Sequence, residues 1–522
     1  MKTPPASRRL LIIAILALLV PAACAEKRTP APKKQDQRPV VLAYLSGLYG
    51  NLEPCGCTSN PLGGLDRIAA HIAELQKSYR LALVVVGNTF YDPQKGPAHL
   101  LEQAEQRADT IAAWLQKLKP LAIAAGPNDL SESHRARVLE LAKRYQLPLL
   151  QGPYETPSGR LADSSLHQIG PLTLSFIGAS GSVEAEAESY STAARKMWRA
   201  RADVVVGLTG LLGKKVAGLA RGIKGVTVIL GTTEGENQDP LVEGGSLVAL
   251  GKSKGQYLGL IRFYPKKDPR YPQRAYEWVF NDENRKKKKS LGDRMEAMKA
   301  RIKSMEPGLA REARAQRLAK LEAELKGMVP QTPQGSFMTW SAHPMDKSLT
   351  PPGWAKAMLA SYNRSLCASS LAATADRECE AAPDPKNHYV GTERCAACHP
   401  DDLKVHQQTK HATAWKTLTD AGKECDLGCI GCHSVGFEKP GGYCRLEDAE
   451  KNKNVGCENC HGPGGGHAKS PFKKEDWGSL FVAKPGEAIC VECHNKEHSD
   501  LFDFKAYLPR VLGPGHGLPL EK

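Results

Sequence analysis

Ten of the chain's fifteen cysteines lie between Cys395 and Cys493, and ten of its fifteen histidines lie from His388 onward. Within that stretch the pattern C-x-x-C-H occurs four times: Cys395-Ala-Ala-Cys398-His399, Cys429-Ile-Gly-Cys432-His433, Cys457-Glu-Asn-Cys460-His461 and Cys490-Val-Glu-Cys493-His494. No other feature constrains the fold as tightly. Two thiols three positions apart reach the two vinyl groups of one haem, and the imidazole that follows lies under its iron as proximal ligand. Zinc needs no histidine directly after every cysteine pair, and neither does a thioredoxin-like C-x-x-C. Four covalently bound haem c groups are therefore expected. So short a segment buries little conventional core, so the porphyrins must supply most of its apolar mass, and without them it should be unfolded. Haems forced that close together make a path for electrons.

Six histidines in this region lie outside the motifs and are candidates for the sixth iron ligand. His411 sits on an expected helix, Leu403 to Leu418, directly after the first motif. His467 follows a glycine-rich turn after the third, where backbone can approach a haem edge closely. These two are the leading candidates, and His388, His406, His498 and His516 complete the pool. An iron left without a sixth ligand would be the place for small-molecule chemistry. Cys425 and Cys444 belong to no motif. In an oxidising compartment they most simply form one disulfide, with Cys367–Cys379 as a second just upstream.

The run from Tyr389-Val-Gly-Thr-Glu-Arg-Cys395 through Lys410-His411-Ala-Thr-Ala-Trp415 to Gly456-Cys457-Glu-Asn-Cys460-His461-Gly-Pro-Gly464 and His467-Ala resembles a known family. It is similar to the tetrahaem cytochromes that accept electrons from hydroxylamine oxidoreductase in ammonia oxidisers. The resemblance implies a mostly helical haem-packing fold and electron transfer. It also implies three irons with two histidine ligands and one that is five-coordinate. The N-terminal half departs from that family.

The first residues read as a bacterial export signal. Lys2, Arg8 and Arg9 precede an apolar run from Leu10 to Val20, too short to span a bilayer comfortably. Two cleavage readings stand side by side: a signal peptide over 1–25 cut after Ala25, or a lipoprotein signal to 23 that leaves a lipidated Cys24. A Pro/Lys-rich tether follows over 26–38. Export places the chain in the periplasm, or anchored to the outer membrane and facing the periplasm. It also turns the net charge of +15 away from nucleic acid and towards anionic lipid or an acidic redox partner protein. General solubility is an equally good reason for that charge.

Over 39–282 apolar strands alternate with helices. Val40 to Leu45, Leu81 to Val86, Leu121 to Ala125, Asp203 to Leu208 and Val226 to Leu230 read as buried strands, each leading into a polar or glycine-rich loop. That pattern predicts an α/β sheet layered by helices, with its site at the strand ends. The loops resemble those of calcineurin-type metallophosphoesterases, in the 5'-nucleotidase branch. Ser46-Gly47-Leu48-Tyr49-Gly50 falls where that family has Asp-x-His-Gly, Gly87-Asn88 stands for its Gly-Asp, and Gly126-Pro127-Asn128-Asp129 for its Gly-Asn-His-Asp/Glu. Leu208-Thr-Gly210 and Gly231-Thr-Thr233 occupy the later histidine loops. A dinuclear site needs carboxylate and imidazole ligands to activate water. The matched positions offer Gly47, Tyr49, Asn88, Pro127, Asn128 and Gly210 instead, while His71, His99, His134 and His167 lie mostly in helical stretches away from the loops. A phosphoesterase-like domain without its metals, serving docking or scaffolding, is expected.

Cys55-Gly-Cys57, in the first loop, is a redox candidate: a strained, easily reduced disulfide, a metal or haem contact, or an inert oxidised pair. Apolar residues recurring three and four apart predict a charged helical hairpin over 283–330, an irregular linker with one helix over 331–387, and the haem domain over 388–522. The expected function is electron transfer. The alternatives are a haem oxidoreductase that acts on a small nitrogen or sulfur compound at a five-coordinate iron, and a surviving phosphohydrolase.

Overall fold

Strand β1 (Val40–Ser46) is buried along its whole length, and its residues alternate between two different cores, as a strand's must. Val41, Ala43 and Leu45 face helices, whereas Val40, Leu42 and Tyr44 face a second sheet. A strand covered on both sides has no polar face to show, which is why the sequence reads as an unbroken apolar run. This computed structural model describes residues 38–512 except 55–59, 93–99, 151–154, 157–158, 161, 180–182, 236–238, 267–275, 279–281, 307, 328–334, 496–497 and 500. The expectations for the export signal, Cys24, Cys55, Cys57, His99 and His516 fall outside the described residues.

The remaining strands are β2 (Arg80–Gly87), β3 (Ala122–Ala125), the short pair β4 (Glu155–Thr156) and β5 (Gly159–Arg160), β6 (Ser164–Ile169), β7 (Leu172–Ala179), β8 (Val204–Leu212), β9 (Val228–Thr233), β10 (Leu241–Glu243), β11 (Ser246–Lys252), β12 (Tyr257–Tyr264), β13 (Tyr276–Trp278) and β14 (Ser336–Pro344). They form two six-stranded sheets, ordered β13-β14-β12-β1-β2-β3 and β10-β11-β9-β8-β7-β6. The sheets pack face to face through Leu42, Tyr44, Val84, Phe176, Val206 and Leu230. Helices α1 (Leu65–Ser78), α2 (Leu101–Leu118) and α3 (Arg135–Arg144) cover the outside of the first sheet. Helices α4 (Val183–Arg199) and α5 (Lys214–Gly222) cover the second. The α/β reading holds, but with two sheets layered between helices where the sequence predicts one.

The segment 331–387 is not an irregular linker. Ser336–Pro344 is β14, which runs antiparallel to β12 with Ile261 opposite Trp340 and Phe263 opposite Met338. Trp340 Nε1 donates to the buried Tyr44 hydroxyl at 2.9 Å. β14 mixes Phe337, Met338, Trp340 and Ala342 with Ser336, Thr339, Ser341 and His343, so its composition resembles a loop while its register is that of a strand. Helix α6 (Asp282–Lys303) and helix α7 (Leu309–Gly327) form the hairpin between β13 and β14, bridged by Lys299 and Glu322 at 3.4 Å. Helix α8 (Gly353–Thr374) then returns to the first core through Leu359, Tyr362 and Leu366.

From 388 onward the described chain is short helical turns and loops. The expected helix Leu403 to Leu418 is broken: one helix spans Pro400–Gln407, a 3-10 turn spans Lys410–Thr413, and a second helix spans Ala414–Ala421. Thr409, extended at the break, lets the chain turn so that His411 leaves the helix face. The disulfides also differ from the expected ones, pairing Cys367 with Cys425 and Cys379 with Cys444. Cys367 lies inside α8 and Cys379 beyond its end, so the helix holds them apart, and both reach across to the haem region. Leu446 N donates to Thr374 Oγ1 along the same seam, at 3.0 Å.

Candidate haem centre

Each C-x-x-C-H motif folds as a helical turn, over Thr392–Ala396, Leu427–His433, Cys457–His461 and Glu487–Val491 with the residues that follow. In the first and last, the second cysteine and the histidine donate their backbone N–H groups to the carbonyl of the first cysteine, as in Cys398 and His399 to Cys395 (3.2 and 3.0 Å). Residues three and four apart on a turn share a face, so both thiols and the imidazole project together. With Cys367, Cys379, Cys425 and Cys444 in disulfides, the eight motif cysteines are left outside any disulfide.

Three of the four motif imidazoles are fixed through Nδ1. His433 Nδ1 donates to Ala414 O (2.7 Å) and His461 Nδ1 to Val482 O (2.9 Å), while His494 Nδ1 lies 3.1 Å from Ser499 Oγ. His399 Nδ1 faces Asp402 Oδ2 at 3.7 Å. A carbonyl can only accept, so the proton of His433 and of His461 sits on Nδ1 and the lone pair on Nε2, the arrangement that a metal-binding imidazole needs.

Of the sixth-ligand candidates, the two leading ones are each brought opposite a motif histidine. His467 lies with its ring centre 6.2 Å from that of His399, and His411 lies 6.0 Å from His494. A metal that binds two imidazoles in line at about 2 Å each holds their ring centres about 6 Å apart, so both pairs fit an iron between them. Burial pushes the pKa of His411 down, as do His494 and His406; burial and the neighbouring His399 and His461 do the same to His467. Neutral imidazole is the metal-binding form. His467 is boxed by Trp477 and Phe481, at 4.6 and 4.9 Å. The other candidates are placed differently. His406 Nε2 is taken by Val455 O (2.7 Å), His388 is bonded through Nδ1 to Pro385 O (3.1 Å), which leaves its lone pair on Nε2 as in His433 and His461, and His498 lies within electrostatic reach of Cys432.

The four motifs are mutually close. The Cys395 and Cys457 thiols lie within reach of each other, as do those of Cys432 and Cys493. The first attachment site thus adjoins the third, and the second adjoins the fourth. Two side chains that the sequence reading missed hold this arrangement. The buried Glu458 carboxylate accepts from Val390 N (2.9 Å), Gly391 N (2.8 Å) and Gly464 N (2.8 Å). Asn459 accepts from Gly456 N (2.7 Å) and donates to Ser434 O (2.9 Å), joining the third motif to the end of the second. Both lie between the cysteines of the third motif, where the pattern leaves the residue type open.

The strand-end loops of the N-terminal region converge as expected, but their centre is filled. Asn128 N donates to Asn88 Oδ1 (2.8 Å), and the Tyr49 hydroxyl donates to Glu234 (3.1 Å). A Cβ at Gly47, whose φ is +50°, would meet Thr232 Cγ2 at 2.7 Å. Asp129 turns inward, where its carboxylate accepts from Thr89, Phe90 and Tyr91 N–H groups, and burial pushes its pKa up to about 7. His134 is a correction: it lies beside the third loop, with Nδ1 3.1 Å from Asn128 O and its ring stacked on Tyr91. His71 faces His343, and His167 packs on Phe176. Among the described residues no group of three or more His, Cys, Asp or Glu side chains is arranged to hold a metal ion, and amide, hydroxyl and glycine positions do not supply a dinuclear donor set.

Comparison with solved structures finds likenesses in fold. A 5'-nucleotidase precursor from Thermus thermophilus is 14% identical, with a TM-score of 0.43 over 73% of this chain and 68% of that one. The calcineurin-like phosphoesterase YfkN of Bacillus subtilis is 13% identical, with a TM-score of 0.40 over 62% of this chain and 97% of that one. The sulfate thiohydrolase SoxB of Thermus thermophilus is 17% identical, with a TM-score of 0.34 over 43% of this chain and 53% of that one. No curated protein matches the chain. Residues 394–462, which carry the first three motifs, match the family described as cytochrome c554 and c-prime. The C-terminal region of this chain therefore contains a cytochrome c554 family domain, the mark of covalently bound haem c.

Proposed function

We propose that the protein is an exported tetrahaem c-type cytochrome that transfers electrons between redox partner proteins on the periplasmic side, its N-terminal domain acting as a scaffold. When bound, each haem supplies an iron that cycles between two oxidation states. The chain holds the four groups through Cys395/Cys398, Cys429/Cys432, Cys457/Cys460 and Cys490/Cys493, with His399, His433, His461 and His494 beneath the irons. His467 and His411 supply the sixth positions at the first and fourth. The carrying observation is the pair of imidazole–imidazole spacings, 6.2 and 6.0 Å. They leave no room for a substrate at those two irons, which suits a carrier. Phosphoester hydrolysis is not part of this reading, because Thr232, Tyr49 and Asn88 occupy the loop centre.

The second reading, small-molecule chemistry at an open iron, draws on the different placement of His406, whose Nε2 is bonded to Val455 O. One experiment decides between the two. Pyridine-haemochrome quantitation of purified holoprotein should give four haems, and the reduced spectrum should not change with carbon monoxide. A change equal to one haem would select the second reading, and fewer than four covalent haems would refute the proposal.

A further inference from the structure

The second haem motif does not stand apart from the N-terminal domain; its attachment helix begins in a partly buried cluster of charges to which the domain contributes Arg107 and Glu53. Arg107, on α2, places Nη2 3.2 Å from both carboxylate oxygens of Asp426 and Nε 3.2 Å from the Tyr362 hydroxyl of α8. Asp426 is the N-cap of the helix Leu427–His433, accepting from Gly428 N at 3.0 Å. Gln103, one turn before Arg107, is buried between Ser370, Asp426 and Leu427; oriented to satisfy all three, its nitrogen donates to Asp426 Oδ1 (3.2 Å) and its oxygen accepts from Leu427 N (3.1 Å). On the other side Lys423 pairs with Glu53, from the loop after β1, at 3.3 Å. Cys367–Cys425 fastens α8 to the same turn. Both cations, Arg107 and Lys423, lie within electrostatic reach of Cys429.

We infer that Arg107, acting through Asp426, is a positioning and potential-setting residue for the haem carried by Cys429 and Cys432, so that the N-terminal domain tunes that one haem of the set. The inference rests on the tetrahaem reading above. Two cations and two carboxylates make the cluster electrically neutral. Removing one member leaves a unit charge beside an iron whose own charge changes by one on reduction. Asp426 and His433 stand at opposite ends of one short helix, about 10 Å apart at 1.5 Å per residue, and a unit charge at about that distance with an effective dielectric of about 20 shifts a one-electron equilibrium by about tenfold. The sign depends on which member is removed: losing Arg107 leaves a negative charge and favours ferric iron, whereas losing Asp426 leaves a positive charge and favours ferrous iron.

The test is a spectroelectrochemical titration of full-length holoprotein for Arg107→Gln, Arg107→Lys and Asp426→Asn, with pyridine-haemochrome counts on each. Asparagine caps helices as well as aspartate, so the last variant changes charge and leaves the helix start intact. Arg107→Gln should lower, and Asp426→Asn raise, the midpoint of one and the same haem by about tenfold in its reduced-to-oxidised ratio, which is ~59 mV for one electron. Arg107→Lys should leave it near wild type. His433→Met, whose thioether raises a haem's potential, marks which midpoint belongs to the second motif. Midpoints that stay put in a four-haem protein, that move in the same direction in both variants, or that move for a different haem would overturn the inference and leave the tetrahaem reading intact. Fewer than four haems in the wild type would instead refute that reading.

Discussion

Glu458 is the side chain whose loss should be felt most in the haem region. It is 4% exposed, and its two oxygens accept from the backbone N–H groups of Val390, Gly391 and Gly464. Three chain segments thus meet at one carboxylate: the approach to the first motif, the third motif itself and the turn before His467. Glu458→Gln keeps the size but replaces one oxygen with an NH2 group, which must then face a backbone N–H. The variant loses at least one charge-assisted bond, about 1.5–3 kcal/mol, and strands a buried donor, about 1–3 kcal/mol more. A total of about 3–5 kcal/mol is expected. The assay is guanidinium unfolding of holoprotein, followed by near-ultraviolet circular dichroism and the Soret band, with haem content checked on the same sample. Native-state hydrogen exchange should show faster exchange at Val390, Gly391 and Gly464 in particular. A variant within about 1 kcal/mol of wild type, with those amides still protected, would refute the claim that this carboxylate holds the segments together.

Four further outcomes are expected. His467→Ala and His411→Ala should each open one iron, adding one haem equivalent of carbon monoxide binding to the reduced protein; unchanged binding would break the pairing with His399 or His494. Replacing Cys367 and Cys425 together by serine should destabilise the protein by up to ~4 kcal/mol, the loop-closure value for their separation of 58 residues, and non-reducing peptide mapping of the wild type should join those two cysteines; a peptide joining Cys425 to Cys444 would contradict the pairing. Asp129 should make stability fall as pH rises from about 4 to about 7: its folded pKa of about 7 lies above the ordinary carboxylate value near 4, so the unfolded chain ionises first; Asp129→Asn should remove that slope and lower stability throughout. Gly47→Asp with Tyr49→His, the substitutions that restore the phosphoesterase motif, should destabilise the domain without manganese uptake, since any Cβ at Gly47 runs into Thr232; bound metal by elemental analysis would contradict this.

The haem motifs and the five buried strands are legible in the sequence because each follows from local chemistry. Four C-x-x-C-H repeats admit one efficient use of their thiols, and a strand covered on both faces must be apolar throughout. What is not legible depends on partners remote in the chain. Strand β14 is half polar, with Ser336 and Ser341 buried beside Met338 and Trp340, and its identity comes from pairing with β12 across an inserted hairpin. Proximity in sequence favours disulfides between neighbours, but α8 intervenes as a rigid rod and sends each cysteine to the haem region. His134 is placed near the third loop by a short helix whose start the sequence does not mark; the side chain before Arg135 carries no cap. Glu458 and Arg107 are invisible for a further reason: neither belongs to a pattern, and each matters only through the buried groups that it meets.

The filled loop centre and the charged seam argue for a common account of the N-terminal domain. An unused dinuclear pocket would be expected to keep space or stray donors; here Thr232 stands against Gly47, Asn88 caps Asn128, and Tyr49 reaches Glu234. Those contacts tie the loops to one another, which is what the proposed scaffold role needs. The same first loop continues to Glu53, which meets Lys423 beside the second haem motif, while α2 and α8 meet Asp426 from the other side. On the proposed scaffold reading, the packed loop centre and the contact with the second motif belong to a single segment, the one that runs from Gly47 past Tyr49 to Glu53.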